Sequence, residues 1–292
     1  MARNVVEFFR NLLATSGLSK YETFGTVDEG RMSVIYRARD KKTMRTCFLK
    51  IYKADCIRIR SAIRRKQPGI DEALLELDHP HVMKIYEFGR TKSGEYQAME
   101  AIDGPALGTL AREGKLSLPD ALSVFEQVAE GLAYLHEEAG MFHRDVNPFN
   151  VVVAAGREAK IIDLDFALLE RPDTRGMYRR SGTVAYLSPE QVRGRHLDHR
   201  VDLYALGVTM YEVLTQVNPY WDQESEEQEL RIDRTNYNHL VLIPNAPSTL
   251  NSEIPPDLDD LILSCLRIDK EERVQSAAEV RDRLREISSR PD

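Results

Sequence analysis

The chain has 292 residues, of which 42% are hydrophobic and 30% charged, with a net charge of −7. Such a length and apolar content can bury a large core, and the acidic balance argues against a nucleic-acid or anionic-membrane binder. Three cysteines, Cys47, Cys56 and Cys265, lie at no metal-ligand spacing, which implies reduced thiols and a cytoplasmic protein. Met1 to Phe9 carries one basic residue and no signal-type apolar run. No stretch approaches the roughly 18 apolar residues of a membrane span, so an untethered protein with no membrane contact is expected.

Val5 to Ala14 sets Val5, Phe8, Phe9, Leu12 and Leu13 on a helical period and stops at Ser16-Gly17. This extension, residues 1–19, is read as a helix that packs on the small lobe or binds a partner. Short β-type runs follow at Tyr21 to Val27, Val34 to Ala38 and Thr46 to Tyr52, separated by turn residues Asp28 to Gly30 and Asp40 to Thr43. A basic helical segment, Ile57 to Lys66, breaks at Pro68-Gly69. A short helix then runs to Leu77, with Pro68 expected in its first turn. Two more strand-like runs follow, Val82 to Phe88 and Tyr96 to Ala101.

After Asp103-Gly104 helical periods take over. Leu118 to His136 aligns Leu122, Phe125, Val128, Leu132 and Leu135 on one face, and Val201 to Leu214, Leu258 to Leu266 and Ala277 to Ile287 read as further helices. Strands first and helices later predict an α+β, two-lobed molecule. A small antiparallel lobe occupies 20–102 and a larger, mainly helical lobe 103–288. A hinge is placed near Glu100 to Asp103, and the cleft it makes is the expected ligand site.

The chemistry concentrates in His143-Arg144-Asp145-Val146-Asn147-Pro148-Phe149-Asn150 and, thirteen positions beyond Asn150, Asp163. This set resembles the catalytic loop of the protein-kinase family and the metal-binding Asp that follows it. Downstream, Ser181-Gly182-Thr183 and Ser188-Pro189-Glu190 resemble the end of that family's activation segment. Arg273 stands where the family places the partner of Glu190, and Asp202 where it places the buttress of the catalytic loop. The resemblance covers roughly residues 20 to 288 and is nearest to bacterial Ser/Thr kinases of the eukaryotic type.

It implies ATP-dependent phosphorylation of Ser or Thr on a protein substrate, with Asp145 as base and Asn150 and Asp163 holding Mg²⁺. Thr183 favours Ser/Thr over Tyr acceptors. Lys50 aligns with the Lys that holds the α- and β-phosphates, and Glu72 is preferred over Asp71 or Glu76 as its ion-pair partner. Gly30 and Ser33 fall in the phosphate-covering loop. Ile35 forms the roof and Val152 the floor of the adenine pocket, Met99 is its gatekeeper, and Glu100 and Ile102 offer backbone groups. A small-molecule phosphotransferase is disfavoured by the Thr183 and Ser188-Pro189-Glu190 set.

Five residues depart from the family pattern. Phe48 replaces a small Ala, two residues from Lys50 and so on the same strand face. Asn147 replaces a Lys that meets the γ-phosphate, a loss on the order of 3 kcal/mol of transition-state stabilisation. Asp28 and Ser33 replace loop glycines, and Asp165 replaces the Gly after Asp163-Leu164. These departures keep open a rival reading, a pseudokinase scaffold or nucleotide-sensing module. Against it, Lys50, Asp145, Asn150 and Asp163 are all present. Two features bear on regulation: autophosphorylation is expected at Thr174 or Ser181, among Arg171, Arg175, Arg179 and Arg180. The acidic run Asp222 to Glu229 reads either as a substrate-docking surface or as a solvated face.

Overall fold

The computed structural model describes residues 18–30, 32–91, 94–170 and 182–290. The expected N-terminal helix and the arginine-rich loop with Thr174 and Ser181 lie outside these residues. The chain divides into two compact units, one of residues 18–78 with 83–102, the other of 79–82 with 103–290.

The first unit is built on a five-stranded antiparallel sheet of β1 (Tyr21–Glu29), β2 (Ser33–Asp40), β3 (Thr46–Tyr52), β4 (Ile85–Thr91) and β5 (Gly94–Glu100), in the order β1-β2-β3-β5-β4. Alternation fixes the two faces of β3. Cys47, Leu49 and Ile51 point into a cluster with Leu18, Tyr21, Ala38, Tyr96 and Ala98. Phe48, Lys50 and Tyr52 therefore share the other face. The strands match the runs read from sequence, except that β4 begins at Ile85 rather than Val82. The turn after β2 is tied by Asp40, whose Oδ1 accepts from the N–H groups of Lys42 (2.8 Å) and Thr43 (3.0 Å).

Between β3 and β4 lie α1 (Ala54–Lys66) and α2 (Ile70–Glu76). Pro68 is not in the first turn of α2, contrary to the sequence expectation. It forms the turn between the helices, and Gly69, at φ 87°, is the residue that starts α2. That left-handed backbone is open to Gly at little cost.

The second unit contains α3 (Leu107–Arg112), α4 (Leu118–Ala133), β6 (Met141–Phe142), β7 (Val151–Val153), β8 (Ala159–Ile161), β9 (Leu168–Leu169), α5 (Pro189–Arg193), α6 (Arg200–Thr215), α7 (Gln228–Val241), α8 (Pro256–Cys265) and α9 (Ala277–Ser288). Val82 joins it by a bridge to Ile161 on β8. Helix α4 is capped by Ser117, which accepts from the N–H of Asp120, and it buries the predicted Leu122, Phe125, Val128 and Leu132. Its periodicity continues to His136, but the last turn, Tyr134–Glu138, is widened to a π-helix. Helix α6 is buried on almost every side, so it shows no narrow apolar stripe. At Gly207 a Cβ would stand 2.6 Å from Cys265 Cβ, which is why α6 and α8 can pack this closely. Among the described residues no helix is long and apolar enough to cross a membrane.

Candidate active site

The loop His143 to Asn150 joins β6 to β7, and its shape is imposed from below by α6. Asp202, fully buried near the start of α6, accepts from the backbone N–H groups of His143 and Arg144, each at 2.7 Å, and from Nε2 of His136 at 2.9 Å. Burial alone would raise the Asp202 pKa, but these donors outweigh it and hold it below the ordinary carboxylate range. The bonds also sustain Arg144 at φ 72°, a left-handed conformation costly for a non-glycine residue. The His143 ring then orders the next residue. Its Nδ1 accepts from the Asp145 N–H (3.2 Å), which leaves Nε2 to donate to Ile162 O (2.9 Å).

Asp145 is thereby held with both carboxylate oxygens engaged. Oδ1 accepts from the Thr183 N–H at 2.7 Å and Oδ2 from Asn150 Nδ2 at 3.0 Å. Its pKa is raised, first by burial and further by the charge of Asp163, while the bond from Thr183 and the nearby His143 oppose the shift. Gly182, at φ 120°, makes the approach of Thr183 feasible: a Cβ there would lie 2.8 Å from Arg144 O.

Asn150 and Asp163 flank the same end of the β7–β8 hairpin, where Val151 pairs with Ile161 and the Ile162 N–H donates to Asn150 O at 2.9 Å. Asn150 spends its amide nitrogen on Asp145 O (2.8 Å) and Oδ2, so the carbonyl oxygen is the end it can offer a cation. Asp163 sits at φ 63°, ψ 70° and accepts weakly from the Asp165 N–H at 3.4 Å. One carboxylate and one amide oxygen suit Mg²⁺, which keeps waters and shares its shell with phosphates instead of taking an all-protein cage.

Asn147 does not aim a polar group outward in place of the family's lysine. It is buried, donates to Asp145 O (3.0 Å) and accepts from the N–H groups of Phe149 (2.9 Å) and Asn150 (3.2 Å). It is a stay of the loop itself.

The activation-segment end is anchored twice. Glu190 and Arg273 form a buried bidentate pair at 2.6 and 2.7 Å, as the resemblance implies, and Arg273 also donates to Arg267 O at 2.7 Å. The second anchor escaped sequence reading. His239 on α7 accepts from the Tyr204 hydroxyl at Nδ1 (2.9 Å) and donates from Nε2 to Val184 O (3.1 Å), next to Thr183. Burial drives its pKa from 6.5 to about 3, partly opposed by the Val184 bond, so the imidazole is neutral. Helix α7 gives no apolar period to find, because its buried positions include the polar Thr235, Asn236 and His239. His136 was placed in a helix by its spacing, but its bond to Asp202 had no sequence signal.

In the first unit, register places the predicted nucleotide residues. Lys50, buried on β3, stands opposite Ile35 on β2 and Gln97 on β5, while Phe48 stands opposite Arg37 and Met99. Ile35, Phe48, Lys50 and Met99 therefore share one face of the sheet. Gly30 and Ser33 close a tight β1–β2 turn through Gly30 N–H to Ser33 O (3.0 Å), with Lys53 donating to Gly30 O (2.9 Å). The Glu100 N–H is taken by Lys84 O at 2.8 Å. Ile102 is half-buried at the end of this unit. In the second unit Val152, half-buried on β7, pairs with Lys160.

Glu72 is not brought to Lys50. It is exposed on α2 and makes no ion pair or hydrogen bond among the described residues, because the face of this short helix that buries Ile70 and Leu74 excludes it. Neighbouring Asp71 is taken by Arg64, whose Nε lies 2.7 Å from both carboxylate oxygens.

The model of the protein kinase domain family matches residues 21–283. The chain is 33% identical over 270 residues to a probable serine/threonine-protein kinase of Streptomyces coelicolor, covering 90% of this chain and 39% of that protein. It is 32% identical over 270 residues to serine/threonine-protein kinase PknB of Mycobacterium tuberculosis, covering 90% and 42%. A probable serine/threonine-protein kinase of Clostridium perfringens is 30% identical over 278 residues, covering 94% and 39%. The chain thus spans about two-fifths of the length of these relatives.

Proposed function

Because the chain belongs to the protein kinase domain family, we propose that it transfers the γ-phosphoryl group of ATP to Ser or Thr hydroxyls of a protein substrate. The observation that carries this reading is Asp145: a buried carboxylate held by Thr183 on one oxygen and Asn150 on the other, with Asp163 adding charge nearby. Asp145 orients the acceptor hydroxyl and takes its proton as the new O–P bond forms and the bond to ADP breaks. Asn150 and Asp163 would hold Mg²⁺, which would supply positive charge against that of the phosphates. Lys50 would hold the α- and β-phosphates beneath the Gly30–Ser33 turn. Ile35, Met99 and Val152 would contact adenine through their side chains, and Glu100 and Ile102 through their backbone groups. Glu72 reaches Lys50 only if α2 rearranges.

Ser/Thr preference rests on Thr183 and on the similarity to serine/threonine-protein kinases. A cytoplasmic site suits an ATP-consuming domain whose Cys47 and Cys265 are free thiols.

Transfer of labelled phosphate from Mg²⁺-ATP to the protein itself and to a generic basic protein tests the reading, with Asp145→Asn as control. Incorporation should fall by about 10²–10⁴-fold in the variant. Folded wild-type protein that neither incorporates phosphate nor gains thermal stability with Mg²⁺-ATP would sink it and leave the scaffold reading standing.

A further inference from the structure

Strand β3 carries a third residue on the face of Phe48 and Lys50, and it is aromatic. Tyr52 is 2% exposed, and the Lys50 ammonium, on a side chain that is itself buried, stands 5.6 Å from the centre of its ring. Burying an ammonium is costly without something negative beside it. The face of an aromatic ring within about 6 Å meets that need without carrying a formal charge. Glu72, to which the family resemblance gives this duty, is exposed on α2.

Tyr52 is gripped at its hydroxyl and at its ring. The hydroxyl donates to Oε1 of buried Gln97 at 2.8 Å, and Gln97 Nε2 donates to Met99 Sδ at 3.7 Å. The ring carries the buried Arg60 guanidinium 3.5 Å from its centre, which seats α1 on the sheet. Glu95 on β5 answers Arg60, Nε to Oε2 at 3.7 Å, and Arg90 holds Glu95 in turn at 3.0 Å. Glu95, Gln97 and Met99 are alternate residues of β5 and so share one face. The hydroxyl thus ties the ring to β5 and the guanidinium ties it to α1, and the seat it offers Lys50 is fixed with it.

We propose that Tyr52 is a positioning residue for Lys50, its ring steadying the ammonium that meets the phosphates of ATP. A ring, unlike a carboxylate, leaves the full positive charge of the lysine for those phosphates. The inference rests on the phosphoryl-transfer reading, since it assigns Lys50 the same role.

The test is the affinity of the full chain for fluorescent N-methylanthraniloyl-ATP with Mg²⁺, which needs no phosphate transfer. Tyr52→Leu should weaken binding by about threefold to tenfold, the range of one contact between a cation and a ring. Tyr52→Phe keeps the ring and should bind within about twofold of the wild type. The pentafluoro analogue of that phenylalanine has nearly the same shape with the charge of the ring face reversed. It should bind as weakly as Tyr52→Leu, and it serves where the leucine variant folds poorly. In a Lys50→Met background none of these changes should matter, because the ring acts through the lysine. The proposal is overturned if Tyr52→Leu binds like the wild type, if the pentafluoro analogue binds like Tyr52→Phe, or if the effects persist in Lys50→Met. Persistence would make Tyr52 a packing residue only. A wild-type chain that binds no nucleotide overturns the phosphoryl-transfer reading as well, whereas failure of the ring dependence alone leaves that reading intact.

Discussion

The two units hold their functional residues by different means. In the second unit the catalytic loop and the segment after Gly182 are fastened by buried side chains that come from far along the chain. Asp202 fixes His143 and Arg144, Asp145 receives Thr183, Arg273 holds Glu190 and His239 holds Val184. In the first unit Lys50, Phe48, Ile35 and Met99 are set by strand register, each opposite a neighbour in the sheet, with Lys50 also over the Tyr52 ring and Met99 Sδ accepting from Gln97. Register survives side-chain replacement, whereas a buried bond does not. That contrast explains why a family departure in the sheet, Phe48, leaves the architecture intact. It also explains why the departure in the loop, Asn147, is built into its surroundings.

The comparison breaks most visibly at Arg273. Arg273→Ala strands the buried Glu190 carboxylate, and chemical denaturation should show a loss of about 3–5 kcal/mol. Next comes Asp202→Asn. An amide has one acceptor oxygen where three donors converge, so about 2–3 kcal/mol should be lost, together with most activity as Arg144 leaves its left-handed conformation. The Asp202 contribution has a pH signature as well. A carboxylate whose pKa is lowered on folding stabilises above the ordinary carboxylate range and loses that contribution as pH falls through the folded pKa.

His239 predicts an effect in a different window. Above pH 6.5 both folded and unfolded chains hold it neutral. Between 6.5 and about 3 the unfolded chain takes up a proton that the buried imidazole refuses, so stability falls as pH falls. From pH 6.5 to 5 this amounts to about 2 kcal/mol. Denaturation at pH 7 and pH 5 should show that loss in the wild type and a smaller one in His239→Gln, which still carries a donor for Val184 O. Equal slopes would mean that His239 is protonated or solvated after all.

Legibility in the sequence follows the same division. The strands, most of the helices and the loop from His143 to Asn150 were readable because they depend on local periodicity and on a contiguous motif. Pairings between segments were readable only where a motif marked both ends, as with Glu190 and Arg273. His239 was invisible because a buried polar helix face carries no apolar period, and the inward turn of Asn147 was invisible because composition does not say where an amide points. Glu72 was misplaced for a related reason: spacing alone cannot settle which face of a seven-residue helix, entered through Gly69, is turned inward.

Two reversions toward the family pattern sharpen the contrast, and they should act in opposite directions. Asn147→Lys restores a cation but removes the acceptor for the N–H groups of Phe149 and Asn150. It should cost about 1–2 kcal/mol of stability and lower kcat, because the loop that carries Asn150 loosens. Phe48→Ala disturbs no hydrogen bond of the sheet, since its backbone pairing with Arg37 and Met99 is indifferent to the side chain. It removes a ring from the face that carries Lys50, and KM for ATP should fall by about threefold to tenfold, roughly 0.7–1.4 kcal/mol, with kcat little changed. Phe48→Leu should lie between the two. A KM that ignores residue 48 would mean that the ring lies clear of the base, and register would then be a poorer guide to the nucleotide half than the buried bonds are to the catalytic one.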